Sequence, residues 1–326
     1  MIRVTVDTPP DFRFRATLLS HGWVQLAPFD HDERFDELER IHRLQGGRLV
    51  RLTCSATPDD DLQVVVEPLD GQTAAPDDTS TPLDDESVTL DDRAAQIDER
   101  PAEEISRAVR DVTRRIFNLD IDLTPFYDLL DGMDRYDWVR THGAGRLLRA
   151  ASVWEDLAKT LLTTNTSWEM TRRMVARLNE MGDGRGGEYA FPSAAQVASV
   201  PFEAMAAQVG AGYRNAYLYE LATRIAEGDI DVEAWERSDL PSEDLFRELR
   251  SLSGFGPYAA GSTLKLLGRF DYLALDSVAR STYRNAYGDD GPDAQIRRHY
   301  EPYGRWQGLV IWMDVMRATL LENMRS

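Results

Sequence analysis

Between Leu252 and Arg280 the chain reads LSGFGPYAAGSTLKLLGRFDYLALDSVAR, and two groups in this stretch could do chemistry. Gly254 and Gly256 form a Gly-x-Gly turn before a predicted helix, where backbone N–H groups can bind a phosphate without any side-chain charge. Asp276 begins another predicted helix, whose N-terminal dipole favours an ionised carboxylate. The same pattern is also typical of a plain helical hairpin with an aspartate that only caps a helix.

The elements that position these residues are predicted to be helices. After residue 104 the apolar residues recur with helical periodicity, as in EEISRAVRDVTRRIF, WEDLAKTLLTTNTSW and RWQGLVIWMDVMRATLLENM. Residues 105–326 are therefore predicted to form an all-helical domain, in which a hairpin at about 243–268 carries the Gly-x-Gly turn.

The first 104 residues have a different pattern. RLVRLTC (48–54) and LQVVVEP (62–68) are typical of strands, and a short helix is predicted at about 31–43. Pro, Asp, Ser and Thr cluster in TAAPDDTSTPLDDE, which indicates an acidic loop at about 70–100. We expect residues 1–104 to form a small antiparallel α+β domain. The fold class is then mostly α with an N-terminal α+β domain.

The net charge of −19 is concentrated in one segment. Residues 57–104 hold 16 acidic and 2 basic side chains, net −14. Only two residues in the chain, Lys159 and Lys265, are lysines, and an acidic, lysine-poor composition is typical of a halophilic protein. An ordinary protein with one acidic loop is the alternative. Net negative charge argues against nucleic-acid binding but does not exclude it, because backbone N–H groups can bind phosphate.

Several protein classes are excluded by simple counts. No apolar run approaches the roughly 20 residues that span a bilayer, so no membrane partner is expected. The N-terminus MIRVTVDTPPDF lacks the pattern of a signal peptide, which favours a cytoplasmic protein. The single cysteine, Cys54, excludes an internal disulfide and a four-cysteine zinc or iron–sulfur site.

The motifs together resemble the helix–hairpin–helix superfamily of DNA glycosylases, which includes endonuclease III, 3-methyladenine DNA glycosylase II and 8-oxoguanine DNA glycosylase. The family pattern L-P-G-[IV]-G is LSGFG here, with Ser253 in place of the proline, and the spacing from Gly256 to Asp276 matches. The resemblance covers most of the chain. It continues through TPPDF, RATLLSHGW, LAPF, GRLLRAASVWEDLAKTLLTTNTSWEMTRRMVARL, YAFPSAAQVASV, AGYRNAYLYELATRI and YGRWQGLVIWMD.

The resemblance implies roles for residues around the hairpin. Asp276 would be the catalytic carboxylate, and Asn165 in TTNTSW would enter the gap that an extruded base leaves in the duplex. The DNA phosphate would bind at Gly254, Gly256 and Tyr258. No cofactor and no iron–sulfur cluster are expected, although a structural Na⁺ or K⁺ would fit the backbone carbonyls of Arg250, Leu252 and Phe255.

Tyr258 departs from part of the family. Bifunctional members have a lysine there, whose amine forms a Schiff base with the sugar, and a phenol cannot form an imine. The resemblance implies that Tyr258 instead lines the base pocket together with Gln307, Ile311 and Trp312. Gln307 keeps the family residue, Ile311 replaces an aromatic, and Trp312 would stack on the base if the register shifts by one. Core packing is the alternative role for these aromatic side chains.

The predicted function is that of a monofunctional, monomeric glycosylase of base excision repair. It would bind double-stranded DNA that contains a damaged base, hydrolyse the N-glycosidic bond and leave an abasic site. The missing lysine favours alkylated purines such as 3-methyladenine, as for 3-methyladenine glycosylase II, whereas the overall similarity favours oxidised purines such as 8-oxoguanine. Of the two, alkylated purines are slightly preferred. The alternative is a non-catalytic protein that binds damaged DNA on the same scaffold.

Overall fold

The computed structural model describes residues 1–57, 61–69, 100–288 and 292–323. Its N-terminal part is a five-stranded antiparallel sheet with the strand order β1-β5-β4-β3-β2. The strands are β1 (Ile2–Val6), β2 (Phe29–Asp32), β3 (Glu37–Arg43), β4 (Leu49–Ala56) and β5 (Leu62–Pro68). A helix, α1 (Phe14–Leu18), and a 3₁₀ turn (Gly22–Gln25) connect β1 to β2. The predicted antiparallel sheet is confirmed.

Strands β4 and β5 form because their apolar residues alternate with polar ones, which gives each strand one buried face. Leu52 lies opposite Val66 and Cys54 lies opposite Val64 in the register, and all four are buried. Cys54 is a free thiol in this core. The predicted acidic loop at 70–100 lies outside the described residues, apart from Arg100.

The predicted helix at 31–43 is wrong. This segment forms the β2–β3 hairpin, in which His31 pairs with Leu38 and Asp36 has a φ of 52° in the turn. The letters ERFDELERIHR contain good helix formers, but pairing with β4 buries Leu38 and Arg40 on one face of the sheet. Tertiary contacts therefore override the local helix propensity.

The rest of the described chain is mainly helical, which confirms the predicted fold class. Its helices are α2 (Arg100–Ile116), α3 (Thr124–Leu130), α4 (Asp137–Thr141), α5 (Val153–Thr163), α6 (Trp168–Asn179), α7 (Ala194–Ser199), α8 (Phe202–Val209), α9 (Arg214–Ala226), α10 (Ser242–Ser251), α11 (Pro257–Leu266), α12 (Ser277–Tyr287), α13 (Asp293–Tyr300) and α14 (Gln307–Asn323). A short hairpin follows α6; its two strands, β6 (Gly184–Arg185) and β7 (Glu188–Tyr189), have two residues each. None of the helices in the described ranges is long and apolar enough to span a membrane.

The sheet and the helices share one hydrophobic core. The predicted boundary at 104/105 falls inside α2, whose Val109 and Ile116 belong to the same buried cluster as Leu52 and Val64 of the sheet. A second buried cluster surrounds α14 and includes Phe126, Trp306 and Leu309. Because α2 packs against β1, the sheet is held against the helical part of the chain.

Buried charges also join the sheet to the helices. Glu155 on α5 accepts from Arg40 Nη2 on β3 at 3.1 Å and from Lys159 Nζ at 2.8 Å, and all three side chains are buried. We call Arg40, Glu155 and Lys159 the junction cluster. Nearby, Trp23 Nε1 donates to the buried Asp156 at 2.7 Å. These bonds fix the 19–25 segment and α5, which carry part of the site described below.

Candidate functional site

The predicted hairpin is present as α10, a five-residue turn (252–256) and α11. Gly254 has a φ of 83°, and a Cβ there would lie 2.6 Å from Tyr217 Cδ2 and 2.7 Å from Leu161 Cδ1. Glycine is therefore required at position 254 both by the left-handed backbone and by the close packing. Gly256 is extended and exposed before Pro257, with no atom within 4 Å of where its Cβ would be. The turn thus leaves its backbone accessible from one side.

The hairpin has the donors that an anion needs. The first N–H groups of α11 have no intrahelical acceptor, and Pro257 occupies the first helical position, where its missing N–H costs nothing. The positive end of the helix dipole adds to them. The N–H of Gly256 makes only a long contact of 3.3 Å with the Gly254 carbonyl. These N–H groups are the ones that the predicted phosphate site at the turn would use.

A cavity of about 710 Å³ opens beside this hairpin. Its walls come from residues 19–25, 160–171, 258–266, 274–280 and 308–319. Half-buried Asp276 lies in its wall as the N-cap of α12, and its Oδ1 accepts from the N–H of Ala279 at 2.7 Å. Within the described chain Oδ2 accepts no hydrogen bond. Asp276 therefore both caps the helix and has a carboxylate oxygen left for another partner.

Tyr258 lies in the same wall as Asp276. Burial first, and then the charge of Asp276, raise the pKa of its phenol, while Thr163 and Ser262 act in the opposite direction. The phenol is therefore protonated at neutral pH. The structure brings together the two residues on which the sequence prediction of hydrolysis depends.

Asn165 lies at the rim of the cavity, in the turn between α5 and α6. Its side chain is exposed and its φ is 47°, a left-handed conformation that asparagine tolerates. Arg214 Nη2 donates to its carbonyl at 2.8 Å, and its Nδ2 lies 3.4 Å from the hydroxyl of Tyr213, which is 55% exposed. A rigidly held turn thus presents an amide and an aromatic ring next to the cavity opening.

No protein-family model matches the chain, and no curated protein matches it. Solved structures do match over nearly the whole length. The 3-methyladenine DNA glycosylase from Archaeoglobus fulgidus superposes with a TM-score of 0.67 at 18% identity, covering 97% of this chain and 98% of that one. The 8-oxoguanine glycosylase/lyase from Clostridium acetobutylicum in its apo form gives 0.67 at 17% identity, with coverages of 97% and 96%. The protein called MBOgg1, solved with a low affinity DNA ligand, gives 0.66 at 15% identity, with 98% and 100%.

The chain has the helix–hairpin–helix DNA glycosylase fold. The family resemblance seen in the sequence is thereby confirmed at the level of the fold, and it includes the N-terminal sheet. In this glycosylase fold the hairpin, Asp276 and Asn165 surround the opening of one cavity.

The predicted base pocket is assembled only in part. Ile311 and Trp312 line the cavity of this glycosylase fold, but Gln307 does not. Its Nε2 donates to the carbonyl of Asp271 at 2.6 Å, which ties the start of α14 to the loop before α12. Trp312 Nε1 donates to the carbonyl of Ser20 at 2.9 Å, so its indole is held in one orientation. Contact between Gln307 and a base stays a prediction.

Sequence reasoning missed Lys265 as a cavity residue. Its side chain is 5% exposed, lines the cavity, and places Nζ 3.4 Å from the centroid of the Trp312 ring. Burial lowers the pKa of its ammonium to about 7, against the opposing attraction of Asp276. Helical spacing could have found it, because Tyr258, Ser262 and Lys265 follow each other at i, i+4 and i+7 on one face of α11.

His21 was missed as well, and nothing local in the sequence indicates it. Its buried ring lies 5.4 Å from the Trp312 ring, and its Nδ1 is buried without a hydrogen-bond partner among the described residues. Burial, then Lys265 and Lys159, lower the pKa of the imidazole well below its ordinary value. His21 is therefore neutral at pH 7. Only the long-range packing of the 19–25 segment on α14 brings it into the cavity.

The expected cation site has backbone carbonyl oxygens that could ligate an ion. The carbonyl of Arg250 belongs to the last turn of α10, where carbonyls lack intrahelical partners, and Leu252 caps that helix. The Leu252 carbonyl accepts one bond, from Phe255 N–H at 3.1 Å, which leaves its second lone pair. A monovalent ion there would add positive charge next to the turn between α10 and α11, where the phosphate is predicted to bind. No group of three or more His, Cys, Asp or Glu side chains in the described chain could hold a metal.

Proposed function

We propose that the protein is a monofunctional DNA glycosylase of base excision repair, which removes a damaged purine, alkylated or oxidised, from double-stranded DNA. The observation that carries this proposal is the position of Asp276, a helix-capping carboxylate in the wall of a cavity that α11 of the hairpin also lines. The matched structures include a 3-methyladenine glycosylase and an 8-oxoguanine glycosylase/lyase, which supports the reaction class but leaves the lesion open.

In the proposed reaction the carboxylate of Asp276 stabilises positive charge on the deoxyribose as the bond between C1′ and N9 breaks. The electron pair of that bond leaves with the base. A water molecule oriented by Asp276 then forms the new C1′–O bond, and its proton passes through the carboxylate to solvent. A neutral purine leaves as an anion and takes up a proton from solvent, whereas a purine made cationic by alkylation leaves as the neutral base. The products are an abasic site and the free base. The protonated phenol of Tyr258 offers no amine for a Schiff base.

DNA binding in this proposal depends on the backbone more than on surface charge. The N–H groups at Gly254, Gly256 and Tyr258 would hold a phosphate next to the extruded nucleotide. The exposed amide of Asn165 would fill the space left in the duplex, where an inserted side chain offsets part of the cost of unstacking. A Na⁺ or K⁺ ion on the Arg250, Leu252 and Phe255 carbonyls would strengthen the phosphate site.

The decisive experiment is a single-turnover excision assay on lesion-containing duplexes followed by alkaline cleavage. Asp276→Asn keeps a residue that caps helices well but removes the charge, so excision should fall about 10²- to 10³-fold without loss of folding. The matched control is Asp128→Asn, an exposed carboxylate on α3 that pairs with Arg140 outside the cavity; its excision rate should be unchanged. If wild type and Asp276→Asn bind lesion DNA but neither excises any lesion, the protein is a non-catalytic damage-binding protein.

Borohydride reduction tests the monofunctional part separately. A protein that uses water as the nucleophile leaves no covalent adduct when the reaction is run with borohydride, whereas a lyase is trapped on the DNA. We expect no trapped species with the wild-type protein. An adduct would contradict hydrolysis by water while leaving glycosylase activity itself intact.

A further inference from the structure

The side chain of Lys265 is buried, and the charge of Asp276 attracts its ammonium without forming an ion pair. Within the described part of the chain it forms no hydrogen bond and no ion pair. Its Nζ lies over the face of the Trp312 ring, 3.4 Å from the ring centroid. An ammonium has three N–H donors, and buried polar groups in folded proteins are nearly always satisfied. Because Lys265 lines the cavity, the partner that satisfies these donors can come from a ligand.

A second unsatisfied group lies close by. His21 is 8% exposed, its Nδ1 has no partner among the described residues, and its ring contacts the same Trp312. Trp312 is anchored through its N–H to the Ser20 carbonyl, so it holds both side chains in place. Two neighbouring polar groups in a cavity wall that have no hydrogen bond within the described chain are the arrangement by which ligand pockets fix orientation.

This end of the cavity is suited to a base and not to a sugar. Lys265 follows Tyr258 by seven residues on α11, which is about 10 Å along the helix axis. Tyr258 lies next to the phosphate turn at the start of α11, whereas Lys265 lies near its end, over α14. A nucleotide bound through its phosphate at the turn would therefore place its base, and not C1′, against Lys265.

Charge decides which base fits best. A carbonyl oxygen on a neutral base accepts a charge-assisted hydrogen bond from an ammonium, which is among the stronger polar contacts. Below about pH 7, where the amine of Lys265 is protonated, a purine made cationic by N-alkylation would bring a second positive charge into this buried space, and like charges at such distances repel strongly. The face of Trp312 that could stack on a cationic base is occupied by Lys265.

We propose that Lys265 is the specificity-determining residue of this cavity, selecting an extruded purine that is neutral and presents a carbonyl oxygen over a purine made cationic by alkylation. Oxidised and deaminated purines share this chemistry. The inference rests on the proposed glycosylase function and narrows its substrate class. Trp312 acts in it as the platform that positions Lys265, and not as the stacking partner of the base.

The test compares single-turnover excision from duplexes that contain 8-oxoguanine or hypoxanthine with release of 7-methylguanine and 3-methyladenine from methylated DNA. Wild type should act at least about 10-fold faster on a carbonyl lesion than on the methylated bases. Lys265→Met keeps the side-chain length without the charge and should slow the carbonyl lesions about 10- to 100-fold while leaving or raising the methylated-base rates. The two carbonyl lesions distinguish an oxidised from a deaminated substrate.

Two further variants separate local charge from other effects. Lys265→Arg keeps the charge and should retain the preference for carbonyl lesions. Arg298→Met removes the same charge from an exposed site on α13, outside the cavity, and should not change the ratio of rates. Faster action of wild type on methylated bases, or equal slowing of all lesions by Lys265→Met, would overturn the role of Lys265 without touching the glycosylase proposal.

A binding measurement keeps the inference testable even if no lesion is excised. In the Asp276→Asn background, duplexes with 8-oxoguanine or hypoxanthine should bind more tightly than undamaged duplex, and adding Lys265→Met should remove the difference for the preferred lesion. No preference, or a preference that survives Lys265→Met, contradicts the inference. Borohydride trapping of wild type but not of Lys265→Met would also overturn it, because Lys265 would then attack the sugar and not contact the base.

Discussion

The two lysines of this chain are both buried and yet differ in everything around them. Lys159 in the junction cluster donates to Glu155 at 2.8 Å and lies over the rings of Phe29 and Phe191. Lys265 lies over the Trp312 ring alone, at the wall of the cavity. Both are desolvated, and burial lowers the pKa of both. The presence or absence of a carboxylate partner therefore separates a lysine that holds the fold together from one that is available to a ligand.

This difference has an energetic meaning. Burying a charge is expensive, and a well-bonded opposite charge offsets most of the cost. In the junction cluster Glu155 supplies that charge, and although burial alone would raise the pKa of its carboxyl, Arg40 and Lys159 lower it to about 2. At Lys265 no hydrogen-bonded carboxylate offsets this cost, the charge of Asp276 offsets only part of it, and the pKa is lowered to about 7. A group kept under such conditions in a cavity is a candidate for function.

The largest expected effect comes from breaking the paired region. Glu155→Gln leaves Arg40 and Lys159 buried without their counter-charge, so the free energy of unfolding should fall by about 3–5 kcal/mol, measured by urea denaturation at pH 7. The control is Glu169→Gln, which removes an exposed ion pair with Arg173 and should cost less than about 1 kcal/mol. Equal losses for the two variants would contradict the structural role of the junction cluster.

Acid should weaken both regions, because each contains a histidine that is held neutral. Burial, with Arg40, lowers the pKa of His42 to about 3, against Glu155, and the pKa of His21 is also lowered well below 6.5. The unfolded state therefore binds more protons below pH 6.5. Stability should fall by about 1.4 kcal/mol per pH unit for each histidine from pH 6.5 downward, or about 2 kcal/mol each by pH 5.

Urea denaturation from pH 7.5 to 5 measures this slope. His42→Gln should flatten it by about half, and the slope should persist in 1 M NaCl because burial is not screened by salt. A slope that vanishes at high salt would show that surface charge causes it instead.

A smaller effect is expected at the anchor of the unpaired region. Trp312→Phe keeps an aromatic face for Lys265 but removes the hydrogen bond to the Ser20 carbonyl, which should cost about 1 kcal/mol of stability by thermal denaturation. The lesion preference should weaken, since Lys265 loses its fixed platform. Unchanged preference would show that Lys265 is positioned independently of Trp312.

The smallest stability effect should come from Lys265 itself. Lys265→Met removes a buried ammonium that forms no ion pair within the described chain, so the free energy of unfolding should stay the same or rise by about 0 to 1 kcal/mol. Lys159→Met, the same substitution in the paired region, should be destabilising. A loss above about 1 kcal/mol for Lys265→Met would remove the distinction between the two lysines.

Much of the hairpin could be predicted from the sequence, because its constraints are local. Gly254 requires a positive φ, Pro257 starts a helix, and Asp276 caps the next one, so each residue indicates its own backbone conformation. Local patterns predicted the wrong structure for the 31–43 segment, since its strand conformation comes from pairing with β4 and not from its own propensity. The hydrogen bond from the amide of Gln307 to the carbonyl of Asp271 is likewise a tertiary contact that no local pattern indicates.

The sequence by itself determined the helical series, the phosphate turn and the carboxylate at its fixed spacing, since glycine φ angles, capping and apolar periodicity act over a few residues. Only the tertiary structure decided what surrounds Asp276. It placed the rings of His21 and Trp312, almost three hundred residues apart, in contact. It also paired Lys159, but not Lys265, with the carboxylate of Glu155. The physical reason is that desolvation and charge pairing depend on which distant segments pack together, and no window of sequence contains that information.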